Sequence, residues 1–224
     1  MLFEVLYEDN HVIVVNKPTA ILVQPDTTGD TSLEELVKQY IKDKYNKPGA
    51  VFLGVVHRID RPVSGVILFA KTSKALTRLN EQLKNKEFKK TYRAIVKQKP
   101  NPESALLKHH VYRNPKINKS IAYDKPTKES KEAILAYKTI AESQNYFLLE
   151  IDLHTGRHHQ IRCQLAKIGC PIKGDVKYGF DRSNTNGGIS LHAYSLKFTH
   201  PVTKTEITVV APPPDSDIWH VFNC

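Results

Sequence analysis

TYRAIV (residues 91–96), ALLKHHVY (105–112), AILAYKTI (133–140) and YFLLEIDL (146–153) follow one another with no helical pattern between them. All four are short, rich in β-branched, aromatic or apolar residues, and read as strands. Strict alternation of strands and helices is thereby excluded. Runs of strands with a few segregated helices indicate an α+β fold with a largely antiparallel sheet, in which strand content exceeds helix.

The flanking sequence agrees. Upstream, FEVLYEDNHVIVVNKP (3–18) alternates on both sides of Asp9-Asn10 and ends at Pro18, which predicts a hairpin. Thr31 and Glu34 form a T-x-x-E capping box, and Leu33, Leu36, Val37, Tyr40 and Ile41 recur at helical spacing. Val51–Val56 and Gly65–Ala70 read as strands around the segment HRIDRPVSG (57–65), where Pro62 and Gly65 mark a turn. Ser73 is placed to cap a second helix with Leu76, Leu79 and Leu83 on one face. Downstream, Asn114–Ser130 is polar, Lys-rich and broken by Pro115 and Pro126, so it is expected to be a mobile loop. His159–Lys167 reads as a helix stopped by Gly169. Ile189–Phe198 and Glu206–Val210 read as closing strands before Pro212-Pro213-Pro214. No internal repeat is present.

A chain of 224 residues with 40% hydrophobic and 25% charged residues is long enough to bury a core without disulfides or metal, and wholesale disorder is excluded. The longest apolar stretch without a charge is Pro62–Ala70, well short of the roughly 18 residues a membrane-spanning helix needs, so no membrane association is expected. The first ten residues, MLFEVLYEDN, carry acids where a secretion signal carries positive charge. Cys163, Cys170 and Cys224 form no C-x-x-C pair, which fits reduced thiols in a cytoplasm. His109-His110 and His158-His159 are adjacent pairs without ligand spacing, and no metal is expected.

The net charge of +10 is local. Residues 84–131 contain fourteen Lys and Arg against four acids, and the rest of the chain is balanced. Such a field attracts a polyanion. Phe88, Tyr92, His109, His110, Tyr112 and Tyr123 are interleaved with the charges, which suits base stacking on RNA and equally suits strands with one buried face.

Two segments are denser in polar groups than a core strand or plain turn requires: HRIDRPVSG (57–65) and TGRHHQIR (155–162). In the first, Asp60 lies between Arg58 and Arg61 at a strand–turn–strand junction, a rigid place of the kind where active sites gather. A structural ion pair closing the turn is the plain alternative.

These segments, in this order, resemble the RluA-type pseudouridine synthases, which isomerise uridine in ribosomal and transfer RNA. The resemblance is carried by VIVVNKP, HRIDRPVSGVILFAKT, KKTYRA, TGRHHQIRCQLAKIGCPIKGDVKYG and LHAYSLKFTHP, five blocks between residues 12 and 201. It implies a mixed, largely antiparallel sheet with flanking helices and a central active-site cleft. One catalytic domain over 1–224 is expected, with no separate N-terminal RNA-binding domain, because the first block begins by residue 12. By the same resemblance Asp60 is the catalytic carboxylate, Arg162 pairs with it, and Tyr92 stacks on the uracil or moves a proton. Arg58 fills the space left by the extruded base, and Arg61, Arg157, His158 and His159 hold phosphates or order a loop. Arg162→Ala is then expected to leave the fold intact while stopping turnover. The family usually has Thr where Val63 stands and often Thr where His158 stands.

The reaction adds no external group, so neither cofactor nor metal is required, and no Gly-rich nucleotide loop is present. RNA is the expected partner, with no DNA and a monomeric protein. Two other readings use the same residues: a catalytically silent RNA-binding or ribosome-assembly protein, and a nucleosidase that releases uracil. If the local charge is the RNA-holding field, neutralising Lys116, Lys119, Lys125 and Lys128 will weaken RNA binding and spare the chemical step. The salt dependence of binding, measured by titration, should flatten by about 0.7 in slope for each RNA phosphate that is no longer neutralised.

Overall fold

Among the residues described by the computed structural model, 2–215 and 217–222, strands outweigh helices, as the sequence predicts. Along the chain run β1 (Glu4–Glu8), β2 (Val12–Lys17), α1 (Leu33–Lys44), β3 (Gly54–Val55), β4 (Ser64–Ala70) and α2 (Ser73–Lys84). There follow β5 (Lys89–Val96), β6 (Ser104–Asn114), β7 (Lys119–Tyr123), β8 (Lys131–Glu142), β9 (Phe147–Leu153) and α3 (Gln160–Lys167). After a short 3-10 turn at Val176–Tyr178 come β10 (Leu191–Thr199), β11 (Glu206–Val210) and α4 (Asp217–His220). Cys224 lies outside the described residues. The chain divides into two compact units, Met1–Phe88 with Ala193–Pro212, and Lys89–His192 with Pro213–Cys224.

In the first unit the strand order is β1-β2-β4-β10, with β3 on β4 and β11 on β10. The pairs β1–β2, β2–β4, β3–β4 and β10–β11 are antiparallel. Alternation along β2 and β4 sends side chains to two cores. Val12, Val14, Val66 and Leu68 pack with Ala75 and Leu79 of α2, while Ile13, Val15, Ile67 and Phe69 pack with Leu33, Val37 and Ile41 of α1. Both faces of these strands are therefore buried, which is why VIVV and GVILFA read as nearly continuous apolar runs.

Both helix starts lie one residue from their expected caps. Ser32, not Thr31, caps α1, and its reciprocal partner is Glu35 rather than Glu34. The two boxes overlap in TSLEE, and the one starting at Ser32 is used. Thr72 caps α2 by accepting a bond from the Ala75 N–H, and Ser73 is the first helical residue.

The second unit has the order β5-β9-β8-β6-β7, every pair antiparallel. Its main departure from expectation lies in residues 114–130. β6 continues to Asn114 and β7 returns from Lys119, so half of the expected loop is a hairpin. Ser120 and Ala122 are buried while their neighbours face outward, a period of two that the flanking lysines obscure. Asn118, in the left-handed region at φ 45°, closes the hairpin turn, a conformation Asn tolerates. β8 pairs with β6 only as far as Val111, so Tyr112–Lys119 project past it.

Glu8 is a test of the first unit's electrostatics. Its carboxylate accepts bonds from Lys44 Nζ (2.7 Å), Lys71 Nζ (2.7 Å), Tyr45 Oη (3.0 Å) and Tyr40 Oη (3.1 Å). Burial pushes its pKa up, but the two lysines, then Tyr45, outweigh this and hold it at about 2. A lowered folded-state pKa stabilises the fold fully above the ordinary Glu range and is lost as pH falls toward 2. Glu8→Gln should therefore lower the melting temperature at pH 7 by about 3–12 °C. The gap between the two proteins, followed by circular dichroism, should close as the pH drops from about 4.5 to 2.

Candidate active site

In the first unit the HRIDRPVSG segment becomes a tight turn entering β4, closed by the Val63 N–H on the Asp60 carbonyl at 3.0 Å. Gly65 sits at φ 118°, and a Cβ there would come within 2.3 Å of the Ala193 carbonyl oxygen, so only glycine lets the strands approach this closely. The imidazole Nε2 of His57 accepts the Leu68 N–H at 3.1 Å. Val63 is buried at 2% exposure and serves the core. Asp60 is half-buried and Arg58 exposed. Arg61 is also exposed, and its guanidinium is engaged by the Ala20 carbonyl (3.1 Å) and Asp30 (2.7 Å).

A residue that sequence reasoning missed holds this turn. Lys17, at the end of β2, is fully buried, and its Nζ donates to the carbonyls of Ile21 (2.7 Å), Pro18 (2.9 Å) and Arg61 (3.1 Å). An ammonium has three N–H bonds, and three carbonyls take them. Burial pushes its pKa down to about 7 against the opposing pull of the Asp60 charge. The available signal was its position, following an alternating strand and immediately preceding a proline.

The second unit carries Tyr92, Arg162 and the loop before α3. Tyr92, in β5 opposite Ile151, is 8% exposed. Arg162 is 5% exposed, and its Nε and Nη2 donate to the two carboxylate oxygens of Asp175 at 2.7 and 2.8 Å. Asp175, itself buried, lies within GDVKYG and was a second residue that sequence reasoning missed. Its only sequence signal was a lone acid in a segment of Gly, Lys and apolar residues.

Gln160 shapes the loop. Its Oε1 accepts bonds from Thr155 Oγ1 and the Arg157 N–H, while its Nε2 donates to the Ile134 carbonyl. Arg157 is exposed, with Nε on the Glu132 carbonyl. The rings of His158 and His159 stack at 3.7 Å. His159 is buried in a left-handed conformation as the residue preceding α3, and burial, then the neighbouring Arg162 and His158 charges, depress its pKa to about 2. It is neutral at pH 7. Asp60 thus belongs to the first unit, and Tyr92, Arg157, His158, His159 and Arg162 to the second. Among the described residues no three His, Cys, Asp or Glu side chains gather in a way that suits a metal ion, and no helix is long and apolar enough to cross a membrane.

A family model described as RNA pseudouridylate synthase matches residues 11–167. The chain is 34% identical over 229 residues to a tRNA pseudouridine synthase C of Pasteurella multocida, covering 94% of this chain and 91% of that protein. It is 35% identical over 223 residues to the ribosomal large subunit pseudouridine synthase C of Escherichia coli, covering 93% of this chain and 66% of that protein. Identity to an uncharacterized RNA pseudouridine synthase, YlyB, of Bacillus subtilis is 34% over 215 residues, covering 95% and 69%. The chain thus spans about two thirds of the length of the last two. The solved structure of human RNA pseudouridylate synthase domain containing 4 superposes with a TM-score of 0.81 at 20% identity, covering 98% of this chain and 93% of that one, and shares the fold.

The Arg162–Asp175 pair changes one expectation. Removing the guanidinium strands a buried carboxylate, so Arg162→Ala is not neutral for the fold. It should cost about 3–5 kcal/mol and lower the melting temperature on the order of 10 °C. Adding Asp175→Ala should then cost much less than it does alone, as a thermal double-mutant cycle will show.

Proposed function

The chain belongs to the RNA pseudouridylate synthase family, the RluA-type isomerases of uridine in RNA, and from that premise we propose that Asp60 carries out the isomerisation on a structured ribosomal or transfer RNA. The observation that carries the reading is the Asp60 turn: a carboxylate on a backbone fixed by Lys17, Gly65 and the Val63 N–H, flanked by two arginines.

One carboxylate suffices for this chemistry. Glycoside hydrolysis uses two, one of them to protonate a poor leaving group. Uracil departs more readily because its carbonyls delocalise the charge. Asp60 acts at the ribose, by attack on C1′ or by removal of a ribose proton, and the C1′–N1 bond breaks. Uracil turns and forms the C1′–C5 bond, which displaces the Asp60 carboxylate from C1′ or, in the other route, is accompanied by return of the ribose proton from Asp60. C5 then loses its proton, and N1 gains one. Nothing enters or leaves overall.

The target nucleotide must leave its stack, at a cost of a few kcal/mol. Arg58, exposed and two residues from Asp60, is assigned the vacated space, since a guanidinium plane stacks like a base. We assign Tyr92 and Arg162 to the same reaction, Tyr92 against the uracil and Arg162 to keep the carboxylate ionised once water is excluded, a reading supported by the resemblance of their segments. Arg61, Arg157, His158 and His159 are assigned to RNA contact and loop ordering, with Arg61 also serving the turn through Asp30. The two units act together as one catalytic domain in this reading. The projecting hairpin supplies Arg113, Lys116 and Lys119 to the RNA field. Buried free thiols at Cys163 and Cys170 favour a cytoplasmic setting.

Incubation with unmodified ribosomal or transfer RNA, without metal or nucleotide, should give a mass-silent product detected by carbodiimide labelling and primer extension. Asp60→Asn should lower the rate by at least about 10²-fold while RNA binding persists. Free uracil would indicate a nucleosidase instead, and binding without any product would indicate a silent RNA-binding protein.

A further inference from the structure

The turn that holds Arg162 is also tied to the β6–β7 hairpin. Asp175 opens it, and Tyr178 closes it with its N–H on the Asp175 carbonyl at 3.0 Å. The Tyr178 hydroxyl accepts the Ser120 N–H of β7 at 2.8 Å and lies 2.9 Å from His159 Nδ1. The amide is a donor only, so the hydroxyl proton stays available to the Nδ1 of His159. This agrees with the neutral state of His159 at pH 7. The Tyr178 ring faces the Arg162 guanidinium at 5.0 Å and the Lys119 ammonium at 5.1 Å. Two further ties run in parallel: Lys177 Nζ donates to the Asn118 carbonyl at 3.2 Å, and Ser120 Oγ meets His158 Nδ1 at 2.8 Å.

These bonds converge on the two supports of Arg162. One is Asp175, three residues before Tyr178. The other is the start of α3, where His159 occupies the N-cap without a side-chain cap of its own. Its left-handed conformation is held by the bond to Tyr178 and by stacking on His158. The hairpin, meanwhile, carries Arg113, Lys116 and Lys119 on the segment that projects past β8.

We propose that Tyr178 is a positioning residue whose hydroxyl couples RNA contact at the β6–β7 hairpin to the setting of Arg162. This rests on the reading of the chain as an RNA-directed isomerase. RNA held by the hairpin fixes the Ser120 N–H, and through one hydroxyl it fixes both the Asp175 turn and the first turn of α3. The hydroxyl distinguishes this from simple packing. Tyr178 also fills a core with Val111, Ala122, Ala133 and Cys163, a role the phenylalanine ring performs equally well.

The test is amide hydrogen exchange of the whole protein, with and without an unmodified ribosomal RNA fragment, alongside turnover on the same samples. In the native protein RNA should slow exchange both in the hairpin, residues 112–123, and in the turn, residues 174–180. This comparison needs no variant to fold. In Tyr178→Phe the hairpin should still be protected and the turn should not, with kcat down about 10-fold and KM changed less than about 3-fold, the pattern of a displaced catalytic group. Protection of the hairpin alone in the native protein, or equal protection of the turn in both proteins, overturns the coupling and leaves the RNA reading standing. Protection of neither segment overturns the RNA reading of the hairpin and the coupling with it. Pseudouridine formation is read independently of either.

Discussion

Three backbone carbonyls around one buried ammonium hold the Asp60 turn of this protein. Lys17 joins the end of β2, the Pro18–Ile21 connection and the carbonyl of Arg61, next to Asp60. Burying a lysine is unfavourable, as its depressed pKa records. Hydrogen bonds to a charged donor, each worth about 1.5–3 kcal/mol, offset that cost and specify where the turn must lie. A neutral amine has only two N–H donors for the three carbonyls, so the turn is held best by the charged form. Gly65 and the packing of β4 complete the constraint, and Asp60 is left on a backbone with little freedom to move.

The second unit fixes its own charged group by a different means. Arg162 is paired to a buried carboxylate through two parallel bonds, a geometry that sets the plane of the guanidinium as well as its place. Asp175 is in turn oriented by a short turn whose far end, Tyr178, meets the hairpin. A flexible cation would serve as a phosphate contact; a group immobilised to this degree suits a role in which a small displacement matters. Arg58 and Arg157 form the contrasting class, exposed to solvent, with Arg157 tethered through Nε to the Glu132 carbonyl.

Much of the fold was legible because the two cores use the simplest patterns available. The alternation of β1, the apolar runs of β2 and β4 and the 3.6-residue stripe of α1 are each dictated by what they bury. β11 begins and ends where the sequence places it. The hairpin from Ser104 to Tyr123 was half missed because the inward residues of β7 are small, Ser120 and Ala122, while its outward ones mix Lys119 with Ile121 and Tyr123, so the strand has no apolar-inward signature. The caps slipped by one because each helix begins at an adjacent Thr-Ser pair, and in α1 a Glu-Glu pair doubles the choice. Asp60, Tyr92 and Arg162 were singled out in the sequence through the resemblance of their segments. Lys17, Asp175 and Tyr178 were not, since their roles come from partners distant in sequence and from the burial of charges that composition alone assigns to the surface.

The reading proposed for the Asp60 turn is that a single clamped carboxylate meets the ribose of an extruded uridine. The most direct measurement is a crystal structure of the Asp60→Asn protein bound to a uridine-containing ribosomal or transfer RNA. The account predicts one uridine out of its stack, with ribose C1′ or C2′ within about 3.5 Å of the residue-60 side chain. RNA bound with every base stacked, or an extruded nucleotide whose ribose lies away from residue 60, would contradict it.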